Sequence, residues 1–134
     1  MTDLRFEGTD PEDRFDLLLG VCADLALQTE GRLLYSEPDF PVTELAVQLN
    51  AWAAGGPESG EDFEFSSMES DESGLVWFRR SGAGYRVGSL YQEFPAMAVH
   101  APAAVRSTIE RFVTDLRNRT RRELDIDLDR AFLA

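Results

Sequence analysis

The chain has 134 residues, 43% of them hydrophobic and 28% charged, which suits one globular domain over 1–134 with a real core and argues against disorder. Acidic residues outnumber basic ones 25 to 13, for a net charge of −12, so the chain repels phosphate backbones and anionic lipid. Sequence-independent nucleic-acid binding and membrane association are therefore excluded as expectations, and a basic protein partner is favoured.

The charge is uneven. Residues 1–78 carry 18 acids against Arg5, Arg14 and Arg32, whereas residues 79–134 carry 7 acids and 10 arginines. All 13 bases are arginine, which removes any mechanism that needs a lysine, such as a Schiff base or a phosphate-loop lysine. One cysteine, Cys22, and one histidine, His100, allow no internal disulfide. Together with an N-terminus lacking a basic stretch and an apolar stretch, this predicts a cytoplasmic protein without a signal peptide or a membrane span.

In chain order, a short strand is expected around Leu4–Glu7, followed by a turn at Thr9-Asp10-Pro11. The run from Phe15 to Gln28 is apolar. Its later part alternates, with Val21, Ala23, Leu25 and Leu27 on one parity, which reads as a strand with one buried face. Glu30-Gly31 is a hairpin turn, and Arg32–Glu37 the returning strand. After Pro41 the period becomes helical through Val42, Leu45, Ala46, Leu49, Trp52 and Ala53, until Gly55-Gly56-Pro57 stops it.

Residues 57–62 form an acidic loop. Three strands follow: Asp62–Met68, Leu75–Arg80 and Tyr85–Phe94, joined by turns at Glu69–Gly74 and Ser81–Gly84. A long helix over Pro102–Arg122 has Val105, Ile109, Phe112, Val113 and Leu116 as its apolar face, and a polar tail ends with Phe132 and Leu133. The expected class is α+β: an antiparallel sheet of five to six strands in the order β-β-β-α-β-β-β-α, with two helices packed on one face. Leu45, Leu49, Trp52, Ile109, Phe112 and Leu116 are the expected helix contacts with the sheet.

The strongest local feature is a base-free acidic stretch. Glu58, Glu61, Asp62, Glu69, Asp71 and Glu72 are the candidate partner-binding residues, flanking the strand from Asp62 to Met68 at its two ends. A solvated, soluble hairpin end is the plain alternative. Glu69, Asp71 and Glu72 are the best oxygen cluster for a divalent cation, yet they lack an EF-hand's glycine and its twelfth-position glutamate, so no metal or other cofactor is expected.

Gly82, Gly84 and Gly88 lie between strands with no helix after them, so they read as a hairpin rather than a dinucleotide loop. Nucleophilic catalysis would pair His100 with Cys22 or a serine and an orienting acid, and a structural histidine and a core cysteine are preferred to that reading. No enzymatic activity is expected. Trp77, Phe78, Arg79, Tyr85, Arg86, Tyr91 and Gln92 interleave aromatic and arginine side chains on the strands. This suits either an interaction surface or a core with cross-strand pairs such as Glu64 with Arg86.

The segment from Phe63 to Phe78, with Gly84–Glu93 and Tyr35–Leu45, resembles a family of small uncharacterised proteins from Streptomyces and related actinobacteria. In size, acidity and element order that family is similar to the immunity proteins of polymorphic toxin systems. The family itself implies no activity, but that similarity together with the acidic surface leads to the expectation of a non-enzymatic protein that neutralises or regulates a basic protein partner, in its concrete form a secreted toxin. The alternative is a small-molecule-binding or weakly catalytic domain with a pocket between sheet and helices.

Overall fold

The alternating run from Val21 becomes the middle strand of a sheet. The computed structural model describes residues 1–133. In it, β1 (Thr2–Phe6), β2 (Val21–Thr29) and β3 (Arg32–Phe40) form an antiparallel sheet in the order β1-β2-β3. The β2–β3 hairpin turns on Glu30 (φ 58°) and Gly31 (φ 71°), the two positive values that a two-residue turn between right-twisted strands requires. Glu30 has a further role that a glycine could not fill: its carboxylate accepts from the amides of Met97 (2.9 Å) and Ala98 (2.7 Å), pinning a distant segment to the hairpin.

The lead-in to β2 is helical, not extended. α1 (Arg14–Gly20) is capped by Asp13, whose carboxylate accepts from the Asp16 amide at 2.9 Å. Seven residues are too few to establish a period inside a continuous apolar run, so the sequence conceals this helix.

The second half of the chain forms its own sheet. β4 (Phe63–Ser66), β5 (Ser73–Ser81) and β6 (Gly84–Gly88) pair antiparallel in that order. The α+β class and the antiparallel pairing are as the sequence indicates, but the six strands divide into two three-stranded sheets. The last strand also stops at Gly88 instead of running to Phe94. Beyond it the chain turns away: the Leu90 amide donates to the Gly74 carbonyl (2.8 Å), and the Glu93 amide reaches the Leu34 carbonyl on β3 (2.7 Å). The segment after β6 thus connects one sheet to the edge of the other.

The helices α2 (Val42–Ala53) and α4 (Pro102–Leu124) pack on each other, with the short α3 (Gly56–Ser59) beside them. α2 touches β2 of the first sheet and β4 of the second, while α4 touches β1 and β6. The helices therefore bridge two sheets, and there is no single covered face. One continuous core results, with Leu34, Phe40, Phe65, Tyr85, Leu116 and Leu128 fully buried.

Phe40 of β3 meets Phe65 of β4 at 5.1 Å between ring centroids, an aromatic contact directly between the sheets. Leu45, Leu49, Ile109 and Leu116 are buried as the helical period implies. Trp52 and Phe112 are only half-buried. Trp52 nevertheless stacks on Phe78 at 5.7 Å and meets Tyr85 edge-on at 5.5 Å.

The tail is less polar in its packing than in its composition. Ile126, Leu128 and Leu133 are buried, and Arg117 holds it by an ion pair to Asp129 and a 3.2 Å hydrogen bond to the Leu133 carbonyl. No helix among the described residues is long and apolar enough to cross a membrane.

Candidate acidic interaction surface

The acidic turn is built on a buried carboxylate. Glu44 lies in the first turn of α2 with 2% of its surface exposed. It accepts a hydrogen bond from the Ser67 hydroxyl at 2.6 Å and from the Met68 amide at 2.8 Å. A buried carboxylate is costly without such partners, so this contact ties the β4–β5 connection to the helix. Inside the turn, Ser67 Oγ accepts from the Glu69 amide and Ser70 Oγ from the Glu72 amide. Glu69, Asp71 and Glu72 stand exposed on this fastened loop, and no ion pair among the described residues reaches them.

Glu72 faces β3 and the segment after β6. The exposed Tyr91 hydroxyl donates to its carboxylate, and this bond pushes the Tyr91 phenol up. On β3 the Tyr35 hydroxyl donates to Glu37 at 3.2 Å. Burial, chiefly, raises the Tyr35 phenol well above its ordinary range, and the charges of Glu37 and Glu72 add to that. Glu37 of the first sheet therefore enlarges the acidic surface of the turn.

Glu69 faces the other way, toward α1. It lines a shallow groove with Thr9, Asp10, Asp13, Phe15, Asp16 and Leu19. The Asp16 carboxylate accepts from the amides of Asp10 and Thr9, both at 2.6 Å, and from the Thr9 hydroxyl at 3.0 Å. Those bonds hold it below the usual carboxylate range. Beneath, burial pushes the Cys22 thiol up, and the charges of Glu7 and Glu69 act in the same direction.

The other end of β4 is different. Glu58 forms a two-pronged ion pair with Arg106 of α4, one prong 2.9 Å long, which lowers its own carboxyl and raises the guanidinium. Asp62 accepts from the Arg80 amide at 2.7 Å, and the Glu61 carbonyl accepts from the buried Tyr85 hydroxyl at 2.9 Å. The six acids thus flank β4 as two groups about 13 Å of strand apart. In one group Glu58 is ion-paired with Arg106 and Asp62 is hydrogen-bonded to the Arg80 amide; in the other no carboxylate has an ion pair among the described residues.

Phe15, Asp10, Asp13 and Glu37 are the members of this surface that sequence reasoning missed. Asp10, Glu12, Asp13 and Asp16 were a visible local charge density, but nothing in the sequence placed them beside Glu69.

The remaining candidates resolve into structure. Among the described residues, no group of three or more His, Cys, Asp or Glu side chains is spaced to hold a metal ion. Cys22 and Thr29 lie at opposite ends of β2, about 23 Å of strand apart, and His100 Nε2 is 3.1 Å from Thr29 Oγ. His100 and Cys22 are therefore not a catalytic pair. Gly82 (φ 60°) makes the β5–β6 hairpin turn.

The expected pairing of Glu64 with Arg86 does not form, because β4 and β6 are not neighbours. Glu64 lies opposite Trp77, and Arg86 lies opposite Arg79 and donates to the Ala96 carbonyl. Alternation sends Phe78 and Tyr85 inward, while the Arg79 guanidinium sits 4.1 Å over the Trp77 ring.

Residues 3–122 match a family described as a domain of unknown function, DUF7878. The chain belongs to that family. The DUF7878 span takes in both sheets, α2 and the acidic turn, and ends within α4, before the docked tail. Comparison with curated proteins and with solved structures returns no match.

Proposed function

We propose that this protein is a non-enzymatic binding protein that presents its acidic surface to a basic protein partner. The observation that carries the reading is the Glu69–Glu72 turn: three exposed carboxylates, paired with no arginine, on a loop fastened by Glu44. Exposed Met68, Leu90 and Tyr91 stand on or near it, and Tyr in particular is a common energetic anchor of interfaces. Charge in such a place steers encounter, and a loop already ordered loses little entropy on docking.

The concrete form of the reading is an immunity-type protein of an actinobacterium, acting in the cytoplasm and covering the basic active site of a toxin. Its support is the small size, the net charge of −12 and the similarity of the segments around residues 35–45, 63–78 and 84–93. The test begins with affinity capture of the partner from the native host. Association rates are then measured against salt for the wild type and for Glu69→Arg/Asp71→Arg/Glu72→Arg. The expected result is fast, salt-sensitive association that the triple reversal slows while the fold stays intact. Equal rates, flat with salt, would reduce the turn to a solvated surface.

A further inference from the structure

The groove between α1 and the β4–β5 turn measures about 400 Å3. Its wall includes a large uncovered ring, since Phe15 is 64% exposed. Asp10, Asp13 and Glu69 line the same groove, and no ion pair among the described residues reaches any of them, although Asp10 and Asp13 each lend one oxygen to a local amide, of Glu12 and Asp16. Asp16 lies in the same wall, but its Oδ2 is taken up by the amides of Thr9 and Asp10 and by the Thr9 hydroxyl. The one base next to Phe15 in the chain is directed elsewhere: the Arg14 guanidinium sits 4.9 Å over the Phe132 ring.

An exposed apolar ring in a groove lined by carboxylates that no arginine pairs with among the described residues has a specific complement. A purely apolar side chain would desolvate the acids, and a small free cation would leave the ring uncovered. A long cationic side chain satisfies both, because its methylene stem covers apolar surface while its head remains with the charges. The ring face also attracts a cation directly. Resting on the reading of the protein as an acidic binding protein, we infer that this groove receives an arginine or lysine side chain of the partner. Its stem lies along Phe15 and Leu19, and its head among Asp10, Asp13 and Glu69.

The probe is an acetylated, amidated hexa-arginine peptide, titrated into the full chain at about 0.1 M salt and followed by backbone amide shifts. The largest shifts are expected at residues 13–19 and 67–70. Phe15→Ala, an exposed change that leaves the rest of the spectrum in place, weakens binding about two- to fivefold, the size of one cation–π contact. Glu69→Gln weakens it too, and Glu58→Gln leaves it unchanged.

If the peptide binds but the shifts centre elsewhere and Phe15→Ala matches wild type, the groove assignment is overturned while the acidic-partner reading stands. Saturable binding that is absent even at about 1 mM peptide overturns both.

Discussion

The Glu44 carboxylate and the Ser67 hydroxyl meet at 2.6 Å, joining the first turn of α2 to the loop that carries the exposed acids. With the Met68 amide as a second donor, a buried carboxylate holds the candidate surface in shape. Hydrogen bonds to charged groups are the strong ones, so Glu44→Ala is expected to cost about 2–4 kcal/mol and Glu44→Gln, which keeps an acceptor, about half of that. Chemical denaturation gives the stability. Amide exchange at Met68 and Glu69 should rise in both variants, and unchanged exchange there would show that the turn stands without the helix.

Helix α4 offers a graded test of its core face. Leu116 is fully buried, so Leu116→Ala should cost about 2–5 kcal/mol, transfer and cavity terms together. Phe112 shares the apolar stripe but is half-exposed, and Phe112→Ala should cost only about 1–2 kcal/mol. Urea midpoints in that order are expected; a larger loss at Phe112 would mean that the helix is rotated from this position.

Asp16 makes the fold acid-sensitive in a definable window. Its folded-state carboxyl is held below the ordinary range by the Asp10 and Thr9 amides. The stability it contributes is thus fully present above the unfolded value of about 4 and disappears as pH falls through the folded value. Asp16→Asn should be less stable than wild type at neutral pH, with the gap closing in acid. A gap that does not narrow at all as pH is lowered from about 7 through and below the ordinary carboxylate range would mean that the carboxylate's charge is irrelevant.

Gly88 lies against the Trp77 ring, where an added Cβ would come within 2.0 Å of Trp77 Cζ2. Trp77 is itself buried under Arg79 and cannot yield freely. Gly88→Ala is therefore expected to cost about 1–3 kcal/mol by overpacking and to change the tryptophan fluorescence of the folded state. A thermal melt matching wild type would show that the ring moves aside cheaply.

Period and punctuation in the sequence determined much of the local structure: the alternation from Val21, the turn at Glu30-Gly31, the helical period after Pro41, the meander as far as Gly88 and the long helix from Pro102 stand where the residues place them, while α1 does not show in the sequence. These signals are carried by neighbours along the chain, so no tertiary information is needed to read them. The density of acids from Glu58 to Glu72 is legible for the same reason.

Only the tertiary structure decided that the strands separate into two sheets, because strand partnership depends on where the chain goes after Gly88, and Leu34 on β3 supplies the acceptor that draws it away. Only the tertiary structure divided the acids, too. Arg106 lies 48 residues from Glu58 in the chain and pairs with it, while the Glu69–Glu72 turn meets Asp10, Asp13, Phe15 and Glu37 and forms no ion pair with an arginine among the described residues. Charge sign is a property of composition; whether a charge is left uncompensated is set by which distant side chains the fold brings within reach.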